Sequence, residues 1–206
     1  MKTKQHKRQL KKKRTEEAQQ KKKKAITKKS PIQLPNKKML LAISLIAIIV
    51  GVVLVWQLTI QPFTTIYIRP DGTVDPSTAT ISNLGNHYTF TADIFGSIIV
   101  ETDNIVIDGV NHTLRGEVGT NSTGINLDGK SNVTITNLRI NDFQYGIFVK
   151  SGSNIVVSKN DFSNEYGIGF ESCSNSNVIE NNISDSYGAI LLAQSSNNYI
   201  TKNNFD

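Results

Sequence analysis

The chain has 206 residues and a formal net charge of +6, but this charge is divided among three segments. Residues 1–38 hold 16 Lys or Arg and two Glu, residues 39–60 hold no charged side chain, and residues 61–206 hold 7 Lys or Arg and 15 Asp or Glu. The segments therefore carry +14, 0 and −8, which excludes a single soluble globular enzyme as the whole protein. Because Cys173 is the only cysteine, an internal disulfide and a zinc site built from several cysteines are also excluded.

Residues 1–38 form a basic arm with few apolar side chains. Such a segment cannot bury enough apolar surface to offset the entropy lost on ordering, so the sequence predicts disorder here. We expect the arm to act as a topology signal and to be attracted to anionic lipid head groups. Binding to nucleic acid is the weaker alternative, because the arm has no aromatic side chains on which bases could stack.

Residues 39–60 form an uncharged apolar run of 22 residues. At about 1.5 Å per residue, a helix of this length matches a hydrocarbon core of about 30 Å. The basic residues on its amino-terminal side predict a single-pass membrane protein with a cytoplasmic amino terminus and an extracellular remainder. A cleaved signal peptide is the less favoured alternative, because the run is longer than the usual ~7–15 residues and no small-x-small site precedes Pro62.

From Gly124 onward the sequence repeats with a period of 21 to 22 residues. Apolar residues alternate within short runs, and Asn, Ser and Gly lie between the runs, which is typical of short strands joined by tight turns. The repeat predicts an all-β fold, a right-handed parallel β-helix, with apolar columns stacked in its interior and an asparagine ladder at a corner. Four columns share the spacing 22, 21, 22: Ile125, Ile147, Ile168 and Ile190; Leu127, Val149, Phe170 and Leu192; Ile135, Val157, Val178 and Ile200; Ile140, Phe162, Ile183 and Phe205.

The repeat also suggests where the β-helix begins. We assign residues 61–100 to a linker and an amino-terminal β cap, and residues 101–206 to the rungs, with a longer loop at 116–123. Further strands are predicted at 65–68, 87–90, 97–100 and 104–107. The pattern is still running at residue 206, so we expect an incomplete solenoid whose open edge pairs with further rungs or with another chain.

Two sets of residues recur with the rungs. Gly124, Gly146 and Gly167 are interpreted as rung corners that need either a positive φ or a close approach between rungs. The tyrosines Tyr145, Tyr166 and Tyr187 recur at a constant interval, each in a successive rung, so an outward aromatic stripe that stacks on a glycan is one hypothesis. Packing between rungs is the other.

Four Asn-x-Ser/Thr sequons are candidates for N-glycosylation in an extracellular chain. Asn121 is the favoured site because it lies in the predicted long loop, whereas Asn132 and Asn182 are expected at a corner or in a ladder. The fourth candidate is Asn111.

Four segments of the chain have the residue pattern of a known family. They are Ile66-Tyr-Ile-Arg-Pro-Asp-Gly72, Asn104-Ile-Val-Ile-Asp-Gly109 with Thr113-Leu114, Gly124-Ile-Asn-Leu127 with Asn132-Val-Thr-Ile135, and Ser195-Ser-Asn-Asn-Tyr-Ile-Thr-Lys-Asn-Asn-Phe205. Over about residues 65–206 the chain resembles the NosD-like right-handed β-helix proteins common on archaeal envelopes, which have the pectin-lyase-like fold. The resemblance implies either a periplasmic copper-binding protein or a carbohydrate-binding or sugar-hydrolase module, and the fold alone does not choose between them.

The residue types do not favour metal or catalytic chemistry. Copper would need converging His, Met or Cys, and residues 61–206 offer only His87, His112 and Cys173, with no Met and no two of the three in one column. Polysaccharide cleavage would need paired carboxylates, or an acidic calcium site beside a basic group, and the acidic residues are scattered. We therefore assign no catalytic, metal or cofactor residue, and leave copper and calcium as the less favoured cofactors.

These observations favour a membrane-anchored cell-surface module that binds carbohydrate, or serves structural display on the envelope, without catalysis. Part of an envelope polysaccharide lyase or hydrolase is the alternative, and a copper-binding NosD-like maturation factor is a third. The sequence leaves the ligand and the oligomeric state undecided.

Overall fold

The computed structural model describes residues 2–26, 36–59 and 62–206. The chain divides into two compact units, Met1–Thr59 and Ile60–Asp206. The parts of the predicted arm, membrane span and linker at residues 1, 27–35, 60 and 61 lie outside the described residues.

The first unit begins with helix α1 (Lys2–Ile26), where the sequence predicts disorder. Its residues are mostly Lys, Arg, Gln, Glu and Ala, which are strong helix formers, and its 25 residues exceed the ~12–15 below which an isolated helix is marginal. The described side chains, residues 11–23, are all exposed. Intrinsic propensity rather than burial therefore explains the helix.

Helix α2 (Lys37–Thr59) covers most of the predicted membrane span. It begins with an N-cap, because the Asn36 side-chain oxygen accepts a hydrogen bond from the Met39 N–H at 2.9 Å. Over the described residues, no helix has both the length and the apolar character that crossing a membrane requires. The membrane span at 39–60 stays a prediction.

The second unit is a solenoid of short strands, as the repeat predicts. Its strands are β1 (Thr64–Ile68), β2 (Val74–Asp75), β3 (Ile81–Leu84), β4 (His87–Phe90), β5 (Ile94–Val100), β6 (Val106–Asp108), β7 (Thr113–Arg115), β8 (Thr123–Asn126), β9 (Thr134–Thr136), β10 (Arg139–Asn141), β11 (Tyr145–Lys150), β12 (Val156–Ser158), β13 (Asp161–Ser163), β14 (Tyr166–Glu171), β15 (Asn177–Ile179), β16 (Asn182–Ser184), β17 (Gly188–Ala193), β18 (Tyr199–Thr201) and β19 (Asn204–Phe205).

The strands form three faces, and each rung contributes one strand to each face. Face A contains β1, β8, β11, β14 and β17, face B contains β7, β10, β13, β16 and β19, and face C contains β3, β4, β6, β9, β12, β15 and β18. Strand β5 belongs to both A and B, because its first residues pair with β7 and its last residues pair with β8. In each rung the chain forms a strand of face C, then one of face B, then one of face A.

The observed register confirms the predicted columns. Ile125, Ile147, Ile168 and Ile190 pair in sequence across face A, with the same 22, 21, 22 spacing on the other faces. Column members in the middle rungs are buried, whereas Leu192 and Phe205 in the last rung are 47% and 54% exposed. No described rung stacks on that edge, and its pairing with further rungs or another chain stays a prediction.

The parallel ladder starts earlier than the predicted boundary at residue 101. Strand β1 pairs in parallel with β5, and β4 pairs in parallel with β6. Antiparallel pairs, β1 with β2 and β3 with β4, occur only before residue 101 among the described strands. The cap region thus contributes its own strands to faces A and C.

The predicted asparagine ladder is present between faces C and B. The side-chain oxygens of Asn160, Asn181 and Asn203 each accept a hydrogen bond from a backbone N–H one rung earlier, those of Leu138, Asn160 and Asn181, at 2.9–3.0 Å. Their amide groups donate to carbonyls of the preceding rung. Because these bonds satisfy backbone groups that the corner would leave unpaired, the ladder is part of the fold.

Gly124, Gly146 and Gly167 are not rung corners, because they lie inside β8, β11 and β14 and have no positive φ. A Cβ on Gly124 would lie 2.5 Å from the Gly146 carbonyl oxygen, and one on Gly167 would lie 2.5 Å from the Ala189 oxygen. Close approach between rungs therefore explains these glycines. The left-handed corner positions are filled instead by other residues, such as Asn132, Asn154, Asn175 and Asn197 with φ of 53–57°.

Candidate functional site

A groove runs along the turns that connect face B to face A. These turns span residues 116–122, 142–144, 164–165 and 185–187, and they stack because each rung repeats the same path. The groove has a volume of about 290 Å³, and the longer loop at 116–122 adds Val118, Gly119 and Thr120 to its wall. The other lining residues are Asp142, Phe143, Gln144, Ser163, Asn164, Glu165, Asp185 and Tyr187.

Buried side chains hold the base of the groove. Phe143 is buried, and its backbone N–H donates to the Asn164 side-chain oxygen at 3.1 Å. The Asn164 amide group donates to the Ile140 carbonyl at 2.7 Å. Two consecutive rungs are thereby tied together under the groove, so the lining side chains stand on a fixed backbone.

Tyr187 differs from the rest of the lining because it projects into solvent. Its side chain is 90% exposed, although a tyrosine ring is large and mainly apolar. It stands beside carboxylate, hydroxyl and amide groups, among them Glu165, Ser163 and Gln144. An exposed aromatic face next to several hydrogen-bonding groups is an arrangement that suits a ligand with both apolar and hydroxyl-bearing surfaces.

The charged side chains that line the groove are all acidic. Asp142, Glu165 and Asp185 line it, and its lining contains no Lys, Arg or His. The Asp142 carboxylate accepts a hydrogen bond from Arg115 Nε at 2.8 Å. Within the described part of the chain, Glu165 and Asp185 have no ion-pair partner, so the groove keeps negative charge.

A second depression of about 480 Å³ lies on face B and shares Asp142 with the groove. Arg115 and Asp93 also line it. At its rim, His112 Nδ1 lies 3.2 Å from Asp93 Oδ1, which also accepts the Thr113 N–H at 2.8 Å. The sequence marks His112 only as a candidate copper ligand and gives no signal for Asp93 or Arg115, because these contacts join residues 19 and 27 positions apart.

The three predicted tyrosines do not form one stripe. Tyr145 and Tyr166 stack with ring centroids 5.0 Å apart and an interplanar angle of 24°. The Tyr187 ring does not continue this stack, because the register partner of Tyr166 in the next rung is Gly188 and not Tyr187. The tyrosines keep a constant interval in sequence, whereas the last rung step on face A is one residue longer than the step before it. Tyr187 therefore falls one position before the strand and lies in the groove.

The stacked pair is packed on the surface of face A. A Cβ on Gly169 would lie 3.1 Å from the Tyr145 ring, and one on Gly188 would lie 3.1 Å from the Tyr166 ring. The two rings therefore cover glycines of the next rung, which favours the packing interpretation for them. Of the three tyrosines, Tyr187 is the one with an open ring face.

The four sequons differ in how accessible their amide groups are. Asn111 and Asn121 are exposed, and Asn121 lies in the 116–122 loop. The Asn132 amide donates to the Asn104 side-chain oxygen at 2.9 Å. Asn182 is half-buried in β16. Use of any of them stays a prediction, with Asn111 and Asn121 the more accessible.

The candidate metal ligands are dispersed. His87 is exposed on β4 of face C, and His112 lies beside Asp93 on the opposite side of a corner. Cys173 is buried, and burial raises the pKa of its thiol, whose Sγ lies 3.2 Å from the Val149 carbonyl oxygen. Among the residues that the structure describes, no three His, Cys, Asp or Glu side chains are grouped so that they could hold a metal ion.

Comparison with known proteins agrees with this architecture. Residues 123–206 match the family described as "Right handed beta helix region". The second unit is a right-handed parallel β-helix. Comparison with curated proteins gives no match.

One solved structure is similar to part of the chain. The crystal structure of a "putative glycosyl hydrolase" from Parabacteroides merdae is similar at 14% sequence identity with a TM-score of 0.46. The similarity covers 61% of this chain and 65% of that one, so the chain spans less than two thirds of that protein.

Proposed function

We propose that this protein is a membrane-anchored surface module whose β-helix binds a glycan in the groove between faces A and B without cleaving it. The observation that carries the proposal is the open ring of Tyr187 on a groove with polar walls. A pyranose has an apolar C–H face that stacks on an aromatic ring, and its hydroxyls pair with amide, hydroxyl and carboxylate groups. Gln144, Ser163 and Glu165 supply these groups from the stacked turns and the strand end beside them.

The rigid backbone of the groove also supports glycan binding. The lining turns are fixed by hydrogen bonds between rungs, such as Gln144 N–H to the Ser122 carbonyl at 3.0 Å and Tyr187 N–H to the Glu165 carbonyl at 2.9 Å. A preformed site loses less conformational entropy on binding than a mobile loop does. The fixed backbone of the groove therefore lowers the entropy cost of binding a glycan.

The Tyr187→Ala variant is expected to weaken glycan retention about 10-fold, because it removes the stacking ring and little else. The measurement is affinity for a panel of oligosaccharides, made on the full chain in mild detergent. Tyr187→Phe should keep the affinity within about 2-fold, since the ring remains.

Tyr199→Ala is the matched control for the tyrosine test. Tyr199 is also exposed, at 60%, but lies on β18 of face C. Its replacement should leave retention unchanged. Equal affinities of wild type and Tyr187→Ala, or an equal loss in Tyr199→Ala, would contradict the proposed site.

A polysaccharide lyase or hydrolase is the second candidate, and the His112–Asp93 contact favours it. Asp93 Oδ1 lies 3.2 Å from His112 Nδ1, an arrangement that leaves Nε2 available for proton transfer. In the same panel, release of shortened or unsaturated products would support the enzyme. Retention without product release supports the binding module.

Membrane anchoring is the second part of the proposal, and two observations support it. The sequence has no charged residue between 39 and 60. In α2, described apolar side chains such as Leu41, Leu45, Ile46 and Ile48 are at least 60% exposed, and such exposure of a continuous apolar run to water is unfavourable. The basic side chains of the arm would then face anionic lipid head groups, and the β-helix would lie outside the membrane.

Replacing both Leu45 and Ile48 by Lys is expected to abolish stable membrane insertion. Each central Lys costs about 2.5–3.5 kcal/mol of insertion free energy, so the pair costs about 6 kcal/mol. The measurement is the fraction of full chain that stays in the membrane pellet after alkaline carbonate extraction. The control is Gln19→Lys with Gln20→Lys in α1, which should remain in the pellet, and extraction of the wild-type chain would contradict anchoring.

A further inference from the structure

The charge of the groove restricts which glycan it can take. We infer that the groove selects glycans with free amino groups over neutral glycans, and neutral glycans over polyuronates. This inference rests on the proposed function, because it names the ligand class of the same Tyr187 site.

The first step is the charge balance of the lining. Of the three carboxylates, only that of Asp142 is compensated, through Arg115 at 2.8 Å. Glu165 and Asp185 are exposed and, in the described residues, lie without an ion-pair partner. The lining therefore carries about two uncompensated negative charges beside the Tyr187 ring.

The second step is the field of the surrounding β-helix. Residues 61–206 carry a net charge of −8. Lys150 and Lys202 are each paired with a glutamate, and Arg69 contacts both Asp75 and Glu101. Because these cations are neutralised locally, the electrostatic potential over the groove stays negative. A cleft lined by negative charge concentrates positively charged ligands.

The third step is the chemistry of the ligand. A sugar ammonium group donates charge-assisted hydrogen bonds to carboxylates such as those of Glu165 and Asp185, while the ring of Tyr187 packs on the sugar and attracts the nearby cation. A polyuronate would bring one carboxylate per residue into the same groove. Like charges then oppose binding even where the stacking contact is made.

The test compares three hexasaccharides on the full chain: hexaglucosamine, the same hexamer with all six amino groups acetylated, and hexagalacturonate. At about 20 mM salt we expect hexaglucosamine to bind about 10-fold more tightly than the acetylated hexamer, and hexagalacturonate not to be retained. At about 0.5 M salt the first difference should shrink to less than about 3-fold, because exposed charges are screened. The acetylated hexamer should show little salt dependence.

Single neutral variants locate the charges responsible. Glu165→Gln and Asp185→Asn should each weaken hexaglucosamine binding about 3-fold, the size expected for one exposed charge pair. Asp185→Asn should leave binding of the acetylated hexamer unchanged. Asp128→Asn is the matched control, since Asp128 is an exposed carboxylate in the turn after β8 and does not line the groove. Its effect on all three hexamers should be negligible.

The outcomes separate this inference from the proposed function. Binding of hexagalacturonate at least as tight as that of hexaglucosamine, or equal binding of the amino and acetylated hexamers, would overturn selection by charge while a Tyr187-dependent affinity keeps the glycan site. An affinity for hexaglucosamine that Asp128→Asn lowers as much as Glu165→Gln would also overturn it. If no hexamer shows Tyr187-dependent binding, the proposed function itself fails.

Discussion

Replacing Asn181 by Ala is expected to lower the free energy of unfolding of the β-helix by about 4 kcal/mol. The buried Asn181 side chain accepts the Asn160 N–H at 3.0 Å and donates to the Val157 carbonyl at 2.9 Å. Alanine leaves both backbone groups in the interior without these partners, and an unsatisfied buried group costs about 1–3 kcal/mol. The missing volume of the amide adds to this cost.

Thermal unfolding of the full chain, followed by circular dichroism in the β region, measures the effect. At about 2–4 °C per kcal/mol, the Asn181→Ala midpoint should fall by about 8–16 °C. Asn177→Thr is the matched control: Asn177 is a half-buried strand residue whose register partner two rungs earlier is Thr134. A midpoint for Asn181→Ala within about 3 °C of wild type would show that the ladder is not a main source of stability.

Replacing Gly146 by Ala is expected to cost about 3 kcal/mol, the upper part of the range for overpacking a close-packed interior. A Cβ at this position would lie 2.7 Å from the Gly167 carbonyl oxygen, from the Asn164 amide nitrogen and from the Phe162 ring. This carbonyl belongs to the next rung and cannot move without disturbing the hydrogen bonds between adjacent strands of face A. Because Asn164 also holds the base of the groove, glycan retention should fall together with stability.

Gly129→Ser is the control for the glycine test. Gly129 has a φ of +69° and open space around its Cα, and the equivalent positions in the next two rungs are Ser151 and Ser172 with φ of 54° and 55°. Serine is thus already accommodated in this corner, and we expect a change of less than about 1 kcal/mol. Gly146→Ala should lower the midpoint by about 6–12 °C, and an unchanged midpoint would contradict the packing argument.

Several parts of the fold follow from sequence spacing, and others do not. The Ile125 and Ile135 columns could be predicted because in a solenoid each rung contacts only its neighbours, so a constant offset in sequence is a contact in space. Helix α1 has a different origin, because its described side chains, residues 11–23, are all exposed and local propensity explains it. Of the two alternatives for Gly124 and Gly167, close approach is the one observed, but both lie inside strands and not at corners, since spacing shows recurrence and not backbone conformation.

In the candidate site, too, some features could be predicted from sequence spacing and others could not. Tyr187 was selected from sequence for its constant interval from Tyr145 and Tyr166, yet the last rung step is one residue longer than that interval. The difference separates Tyr187 from the stacked pair and places it in the groove. Asp93 and Arg115 carry no repeat signal, because they occur once each at a depression formed by the first rungs. Glu165 and Asp185 were visible only as scattered acids until the turns stacked them along one groove.

The sequence by itself determined the solenoid, its period and its interior columns, because the 22, 21, 22 offsets encode strand register directly. Only the tertiary structure decided which polar residues share a surface. That decision depends on one-residue differences in rung length and on the stacking of turns, and each such difference moves a side chain to another face of the β-helix.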